Sequence, residues 1–200
     1  MWLRELDPFI EVISTNTTAF LPIIFKKPGL QTSVHISLYM PTQGKDSEFV
    51  SDLAELRNCL DELIARYTDL VLYIRGDGNV NSNNTVRVTL LKQLISDYNL
   101  VQTVTGHNTY HHFVGNGMYD SDIDILLHTS DDNVDETVTK IMCKHDNPDI
   151  LSHHDVILSS FTIPIKEEHP PSPLNAIAPK IKHIRTRIDW FHTFFLRNCF

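Results

Sequence analysis

An alternation of apolar and polar residues predicts a half-buried strand at residues 33–40. Its apolar positions are Val34, Ile36, Leu38 and Met40. This period of two places one face of a strand on a core. Pro41 follows and ends the strand, since proline cannot donate to a sheet ladder. A short apolar run at residues 19–25 precedes the strand, and a Lys-Lys-Pro-Gly turn signal separates the two.

The next segment has the spacing of an amphipathic helix. Its apolar residues fall three or four positions apart, at Phe49, Leu53, Leu56, Leu60, Leu63 and Tyr67. The pattern predicts a helix over residues 46–67, with Asp46 as its N-cap. The continuous apolar run at residues 70–74 predicts a fully buried strand. Because strand, helix and strand form a βαβ unit, we expect its two strands to be parallel.

The rest of the chain predicts shorter elements. A loop rich in Gly and Asn is expected at residues 76–84, followed by a helix over residues 85–98. The apolar face of this helix is formed by Val86, Leu90, Leu94 and Tyr98. Further strands are predicted at residues 100–104, 123–127 and 156–163. The polar segment between the last two strands predicts a short helix at residues 134–142.

The composition along the chain predicts three parts. Residues 1–18 show no clear pattern, and residues 19–163 hold the elements of one domain. Five prolines between residues 164 and 179 are typical of an extended linker. Residues 164–200 are therefore predicted to be a Pro-rich linker with a basic and aromatic tail. This tail is compatible with contact to nucleic acid, with a plain linker or with the start of another domain.

Composition and charge narrow the function classes. The 200 residues are 42% hydrophobic and 21% charged, which are ordinary values for one globular domain. No apolar stretch reaches the roughly 20 residues that span a bilayer, and the acidic N-terminus argues against a signal peptide. The three cysteines are far apart, which favours reduced thiols and an intracellular protein, nuclear or cytoplasmic. A net charge of −8 counts against a protein that binds duplexes by charge alone, and is compatible with an enzyme whose carboxylates hold a cation.

Polar residues collect at the ends of the predicted strands. They are Tyr39 after the first, Asp77 and Asn79 after the second, Asp122 and Asp124 at the start of the third, and Ser152, His153, His154 and Asp155 before the fourth. If the last two strands run antiparallel to the first two, these groups meet at one edge of the sheet. Carboxylate and amide oxygens suit Mg²⁺ or Mn²⁺, and a carboxylate beside a histidine fixes its tautomer. Such a set can orient a water, neutralise a phosphate and stabilise a pentacovalent transition state.

Each of these residues also has a purely structural interpretation. Asp77 lies in a Gly-Asp-Gly-Asn stretch that is typical of a turn, and Asp124 could be a solvated charge at a strand end. His153 and His154 could form a surface pair or half of a zinc site. The histidines of residues 107–112 raise the same zinc alternative, although neighbouring residues of a strand point to opposite faces.

The order of these motifs resembles the endonuclease/exonuclease/phosphatase superfamily. That family carries a Tyr-x-Pro strand end, a Gly-Asp-x-Asn turn, a Ser-x-Ile-Asp strand start and a closing Ser-Asp-His. The corresponding stretches here are residues 39–41, 76–79, 121–124 and 152–154. An aromatic-bearing stretch at residues 109–113, followed by a Gly-Asn-Gly turn, adds to the likeness. Within the superfamily, the sequence is most similar to the endonuclease domain of non-LTR retrotransposon polyproteins.

This resemblance implies a fold, a reaction and residue roles. The fold would be an α/β, two-sheet mixed sandwich with outer helices, and the reaction Mg²⁺- or Mn²⁺-dependent hydrolysis of DNA phosphodiesters. Asp77 would orient the attacking water or act as general base, with Asn79 beside it on the phosphate. Tyr39 would contact the phosphate or the leaving group. His154, held by Asp124, would contact a non-bridging phosphate oxygen.

The sequence departs from the family pattern in three places. We find no counterpart of the family's N-terminal Asn and metal-binding Glu, so we expect an N-terminally truncated chain with missing strands and weak metal binding. His153 stands where the family has an aspartate, and Asp155 would point to the opposite face of the strand. Gly78 replaces an aromatic residue. Two other interpretations therefore stay open: an inactive remnant that binds nucleic acid or is purely structural, and a phosphatase relative that acts on a small phosphoester.

Overall fold

The computed structural model describes most of the chain as helices and strands. The described residues are 4–114, 117–131, 134, 136–142, 153–165 and 187–190. The helices among them are a 3-10 helix (Arg4–Phe9), α1 (Asp46–Arg66) and α2 (Thr85–Asp97). The strands are β1 (Ile10–Val12), β2 (Phe20–Phe25), β3 (Thr32–Tyr39), β4 (Leu70–Asp77), β5 (Leu100–Gln102), β6 (Tyr110–Val114), β7 (Gly117–Ser121), β8 (Asp124–Thr129), β9 (Glu136–Met142), β10 (Val156–Thr162) and β11 (Arg187–Trp190).

Six strands form a mixed sheet in the order β1-β2-β3-β4-β8-β5. β3 and β4 are parallel, as the helix between them requires, and β8 runs antiparallel to β4. Both relations agree with the arrangement expected from the sequence. β4 continues to Asp77, beyond the apolar run that predicts it, so the start of the Gly- and Asn-rich stretch is strand and not loop.

β4 is buried on both faces because it lies between two layers. Leu72 and Ile74 join a core cluster with the apolar side of α1. Val71 and Tyr73, at the alternate positions, join a second cluster with Phe161 of β10. This division follows from the period of two along a strand. Both hydrophobic clusters of the described residues therefore include side chains of β4.

α1 has the burial pattern that its sequence predicts. Its buried residues are Phe49, Leu53, Leu56, Leu60 and Leu63. Burial of each such side chain contributes roughly 1.5–3 kcal/mol, so one apolar stripe is enough to hold the helix on the sheet. The prediction that Asp46 caps the helix is wrong, because Lys45 occupies the N-cap position. The Asp46 carboxylate instead accepts a hydrogen bond from Arg87 of α2.

Leu90, Leu94 and Tyr98 pack on the core as the apolar pattern of α2 predicts, and the helix departs from this pattern in its first turn. Leu94 is buried as expected, but Val86 is 59% exposed. Arg87 is buried instead. Asn84 caps the helix by accepting a hydrogen bond from the N–H of Arg87 at 3.2 Å. The first turn of α2 therefore carries a guanidinium, and not an apolar side chain, into the interior.

A three-stranded sheet in the order β11-β10-β9 covers the other face of the main sheet. The rings of Tyr73 and Phe161 lie 4.7 Å apart between the two layers. Arg75 of β4 forms an ion pair there with Glu136 of β9, with 2.5 Å between Nε and Oε1. The architecture is a two-sheet mixed α/β sandwich with outer helices, and the predicted fold class is confirmed. β6 and β7 form a separate antiparallel hairpin.

The prediction of a short helix at residues 134–142 is wrong. Glu136–Met142 form β9, which pairs antiparallel with β10. The β-branched residues of this strand are Thr137, Val138, Thr139 and Ile141, a composition that favours strands. The pairing partner lies outside the segment, so a local polar pattern does not reveal it.

Some features of the sequence fall outside the described residues. These are Ser152, two residues of the Gly-Asn-Gly turn, and residues 166–186 and 191–200 of the tail. Within the tail, Arg187–Trp190 pair with β10 as β11. Near the N-terminus, β1 pairs with β2. No helix in the described part of the chain has both the length and the apolar character needed to cross a membrane.

Substitution of Gly76 tests how tightly β4 packs against β3. Its φ is 135°, and a Cβ there would lie 2.2 Å from the carbonyl oxygen of Leu38. We expect Gly76→Ala to lower the free energy of unfolding by about 3 kcal/mol or more, because a main-chain clash adds to backbone strain. The measurement is the urea midpoint of the variant.

The matched control is Gly44→Ala. Gly44 also has a positive φ, 89°, but no atom lies within 4 Å of a Cβ built there. This substitution should cost only the backbone strain, about 1 kcal/mol. Equal losses for the two variants would mean that β3 and β4 separate at no cost at this point, contrary to the packing described.

Candidate active site

The register of the main sheet places three of the predicted site residues side by side. Asp77 is paired with Tyr39 on one side and with Asp124 on the other. Paired residues of neighbouring strands point to the same face of a sheet. Tyr73 of the same face packs against the second sheet, so the three residues lie at the end of the layer between the sheets. Tyr39 is 43% exposed and is accessible to a substrate.

A tight turn after β4 holds Asp77 and Asn79. Gly78 donates its N–H to the carbonyl of Ile123 at 2.9 Å, and a Cβ at this position would lie 3.0 Å from the Ile125 side chain. The turn is therefore closed against β8, and an aromatic residue at position 78 would have to displace Ile125. Asn79 adopts a left-handed conformation with φ of 49°, which asparagine tolerates better than most residues.

Asn79 holds both carboxylate oxygens of Asp77. Oδ1 accepts from the main-chain N–H of Asn79 and Oδ2 from its side-chain amide, each at 2.9 Å. The same amide donates to the Met40 carbonyl at 2.7 Å. Burial raises the pKa of Asp77 to about 6, although the nearby His154 opposes the rise. The carboxyl therefore changes protonation state slightly below neutral pH.

His154 lies between the two carboxylates. Its Nδ1 is 3.2 Å from both oxygens of Asp124, and its Nε2 is 3.6 Å from Oδ2 of Asp77. A β-bridge to Tyr110 fixes the main chain, and the Tyr110 ring meets the imidazole edge-on, with 4.9 Å between centroids. Burial alone would lower the pKa of His154, but the hydrogen bond to Asp124 and the surrounding negative charges outweigh burial and leave the pKa raised. The charged form of His154 is therefore more favoured than in an exposed histidine, and Asp124 orients the ring through Nδ1.

Thr109 contacts this group of residues, although no sequence pattern assigns it a role. Its hydroxyl donates a hydrogen bond to Asp124, and its carbonyl accepts one from the N–H of Asp155 at 2.7 Å. Thr109 is fully buried. The one signal in the sequence is its place at the start of the family-like stretch 109–113. Asp122 is exposed and lies beside the site, not between its charged groups.

Asp155 contacts a second histidine, His111. Its carboxylate is 1% exposed and lies 3.1 Å from Nε2 of His111, whose Nδ1 is 2.8 Å from Asp120. Asp155 thus points away from the face that His154 occupies. The neighbouring His153 is exposed and donates from Nδ1 to the His111 carbonyl at 3.1 Å. Together these contacts attach the β6–β7 hairpin to the segment that carries His154.

The described carboxylates do not form a cation site by themselves. The oxygens of Asp77 and Asp124 already accept hydrogen bonds from neighbouring protein groups. No group of three or more His, Cys, Asp or Glu side chains within the described residues is arranged to hold a metal ion. This includes the histidines at 107–112, among which His111 is held between two carboxylates. Among the described residues, Asp77 and Asp124 are therefore the carboxylates at the centre of the site, and His154 lies between them.

A cavity of about 430 Å³ opens beside the site. Its polar lining includes Asn81, Asn83, Gln102, Asn108, Tyr119 and Asp122. The Asn81 amide donates to the Tyr119 hydroxyl at 2.5 Å, which fixes the ring at the cavity wall. The volume is within the range of small-molecule and cofactor pockets.

Comparison with solved structures identifies the fold. The endonuclease domain of TRAS1, a telomere-specific non-LTR retrotransposon, matches with a TM-score of 0.56 and 16% identity, over 80% of this chain and 70% of that domain. Truncated TDP2 of Caenorhabditis elegans matches with a TM-score of 0.53 and 14% identity, over 76% of this chain and 65% of TDP2. The chain has the endonuclease/exonuclease/phosphatase fold.

A third match is an endonuclease/exonuclease/phosphatase family protein from Leptotrichia buccalis, with a TM-score of 0.48 and 14% identity, over 80% of this chain and 59% of that protein. No protein-family model and no curated protein sequence matches the chain. The fold that the sequence motifs imply is confirmed by the likeness to the TRAS1 and TDP2 structures.

The raised pKa of Asp77 gives a pH-dependent test. A carboxyl whose pKa is about 6 in the folded chain and near 3.8 in the unfolded chain binds more protons when folded at intermediate pH. The contribution of this group to the free energy of unfolding is about 3 kcal/mol at low pH, and about 2 kcal/mol of it is lost as pH rises from 4 to 6. We expect Asp77→Asn to remove this slope, so that the variant gains stability relative to the wild type over that range in urea unfolding.

The control for this experiment is Asp69→Asn, at an exposed carboxylate. It should keep the slope of the wild type. If Asp77→Asn and the wild type instead give parallel stability curves from pH 4 to 6, the Asp77 carboxyl does not carry the raised pKa.

Proposed function

We propose that this site hydrolyses phosphodiester bonds, with DNA as its substrate. The observation that carries the proposal is the position of His154 between Asp77 and Asp124. Two carboxylates and an imidazole can supply a general base, a cation and the group that orients the cation. The likeness in fold to the TRAS1 endonuclease domain supports DNA as the substrate class.

The contacts of each residue suggest its role. Asp77, with its pKa of about 6, is ionised at neutral pH and accepts the proton of the attacking water, while Asn79 fixes its orientation. His154 presents its Nε2–H to a non-bridging phosphate oxygen, and Asp124 keeps the ring charged through Nδ1. Tyr39 is exposed and in register with Asp77, so its hydroxyl can donate to the phosphate or to the leaving oxygen.

The plasmid assay tests whether the proposed reaction depends on Mg²⁺ or Mn²⁺. Hydrolysis that requires either ion would indicate ligands from the substrate or from residues outside the described part of the chain.

A second candidate function is binding of nucleic acid without hydrolysis. It is favoured by the internal hydrogen bonds of the Asp77 carboxylate, which compete with a water or a cation for its oxygens. It is also favoured by the exposed His153, which stands where the family has an aspartate. In this case the accessible Tyr39 and the amide-lined cavity would contact the strand, and no bond would be cleaved.

The experiment that separates the two candidates is nicking of supercoiled plasmid by the purified chain, with Mg²⁺, with Mn²⁺ and with EDTA. We expect Asp77→Asn and His154→Gln each to lower the nicking rate by about 100-fold or more, since each removes a proton-transfer or charge-stabilising group. The matched controls are Asp69→Asn and His107→Gln, at exposed residues. They should nick at the wild-type rate.

A wild-type chain that does not nick DNA, but shifts a duplex in gel electrophoresis, would support binding without hydrolysis. A chain that neither nicks nor binds DNA would contradict both candidates. Nicking that survives both Asp77→Asn and His154→Gln would place the reaction elsewhere in the molecule.

A further inference from the structure

Arg87 is the most completely buried charged residue among the described residues. Arg87 has 0% exposed surface and lies in the first turn of α2. Burial of a cation is costly unless its donors are satisfied, and a cation in the first turn of a helix also opposes the helix dipole. Stability alone therefore gives a weak reason for an arginine at this position.

Main-chain carbonyls of two different loops satisfy the Arg87 guanidinium. Nη1 donates to the carbonyls of Pro41 at 2.6 Å and Asn79 at 3.0 Å. Nη2 donates to the carbonyl of Thr42 at 2.9 Å, and Nε donates to the Asp46 carboxylate at 2.8 Å. The planar fork of arginine suits several acceptors at once, whereas the single ammonium of lysine does not. Arg87 therefore joins the loop after β3 to the turn after β4.

Both of these loops carry groups of the proposed site. The loop after β3 follows Tyr39, and the turn after β4 contains Asn79, which holds both oxygens of Asp77. Asn79 also donates to the Met40 carbonyl, so the two loops are joined once by Asn79 and again by Arg87. The left-handed backbone of Asn79 is strained and persists only where its surroundings fix it. Its carbonyl is fixed by Arg87.

We infer that Arg87 is a positioning residue: it fixes the Asn79 turn against the Tyr39 loop and, through Asn79, orients the Asp77 carboxylate. The consequence for catalysis rests on the proposed function, whereas the consequence for the turn does not. The Phe49 ring lies 4.4 Å from the guanidinium carbon and covers one face of the group. Four hydrogen bonds and the Phe49 ring therefore fix the guanidinium between the two loops.

Two substitutions test this role. Arg87→Lys keeps the charge and loses the fork, and Arg87→Met also removes every donor. The first readout is hydrogen exchange of the Asn79 amide, which donates to Oδ1 of Asp77. We expect this exchange to accelerate by about tenfold or more in both variants. The second readout is plasmid nicking by folded protein, which should fall by about 100-fold in Arg87→Met, with DNA affinity retained.

The matched control is Arg75→Lys, at a second buried arginine of the described residues, which pairs with Glu136 between the sheets. This variant should lower the urea midpoint and leave both the Asn79 exchange and the nicking rate of folded protein unchanged. If Arg75→Lys reproduces the effects of Arg87→Lys, general destabilisation explains them and the inference is overturned. Circular dichroism establishes that each variant is folded, and Arg87→Lys carries the test if Arg87→Met is not.

Slow Asn79 exchange in folded Arg87→Lys would overturn the inference, whatever the nicking result. Fast exchange together with full nicking activity would overturn its catalytic part. If the wild type does not nick DNA and Asn79 exchange still accelerates in the Arg87 variants, the positioning role stands and the proposed function fails. The two failures are therefore distinguishable.

Discussion

The antiparallel pairing of β4 with β8 is the constraint on which the site depends. Its register sets Asp77 opposite Asp124, and side chains alternate along a strand, so a slip of one residue would turn one of the two carboxylates to the helix side. β4 resists such a slip because its two faces belong to different layers. Leu72 packs with the helices and Tyr73 with the second sheet. The carboxylate pair is therefore a consequence of packing on both sides of β4.

The same packing creates the electrostatic character of the site. Two carboxylates held close together repel each other, and burial adds to the free energy of their charged forms. His154 offsets part of this cost by standing between them, where the β-bridge to Tyr110 holds its main chain. The part of this cost that His154 does not offset raises the pKa of Asp77 to about 6. A pKa near the working pH suits a general base. The packing that brings the two carboxylates together therefore also raises the pKa of Asp77.

Local patterns in the sequence predict the elements that bury one regular apolar stripe. The strand predicted from alternating apolar residues is β3, and the helix predicted from apolar residues three or four positions apart is α1. The ordered motifs lead to His154 and its two carboxylates. Local sequence patterns do not predict features that depend on partners far away in the chain. β9 is a strand because β10 pairs with it. The Asp46 carboxylate accepts a hydrogen bond from Arg87 and does not cap its own helix. Arg87 itself has the sequence context of a surface charge. Its main partners are carbonyl groups, which every residue has and which leave no signal in a sequence.

The most direct test of this account is an NMR titration of the His154 imidazole in the wild type, in Asp124→Asn and in Asp77→Asn. The account predicts a raised pKa of His154 in the wild type and a lower pKa in both variants. The larger fall is expected for Asp124→Asn, because Nδ1 lies 3.2 Å from Asp124 and Nε2 lies 3.6 Å from Asp77. A His154 pKa that is the same in all three proteins would contradict the placement of this histidine between the two carboxylates.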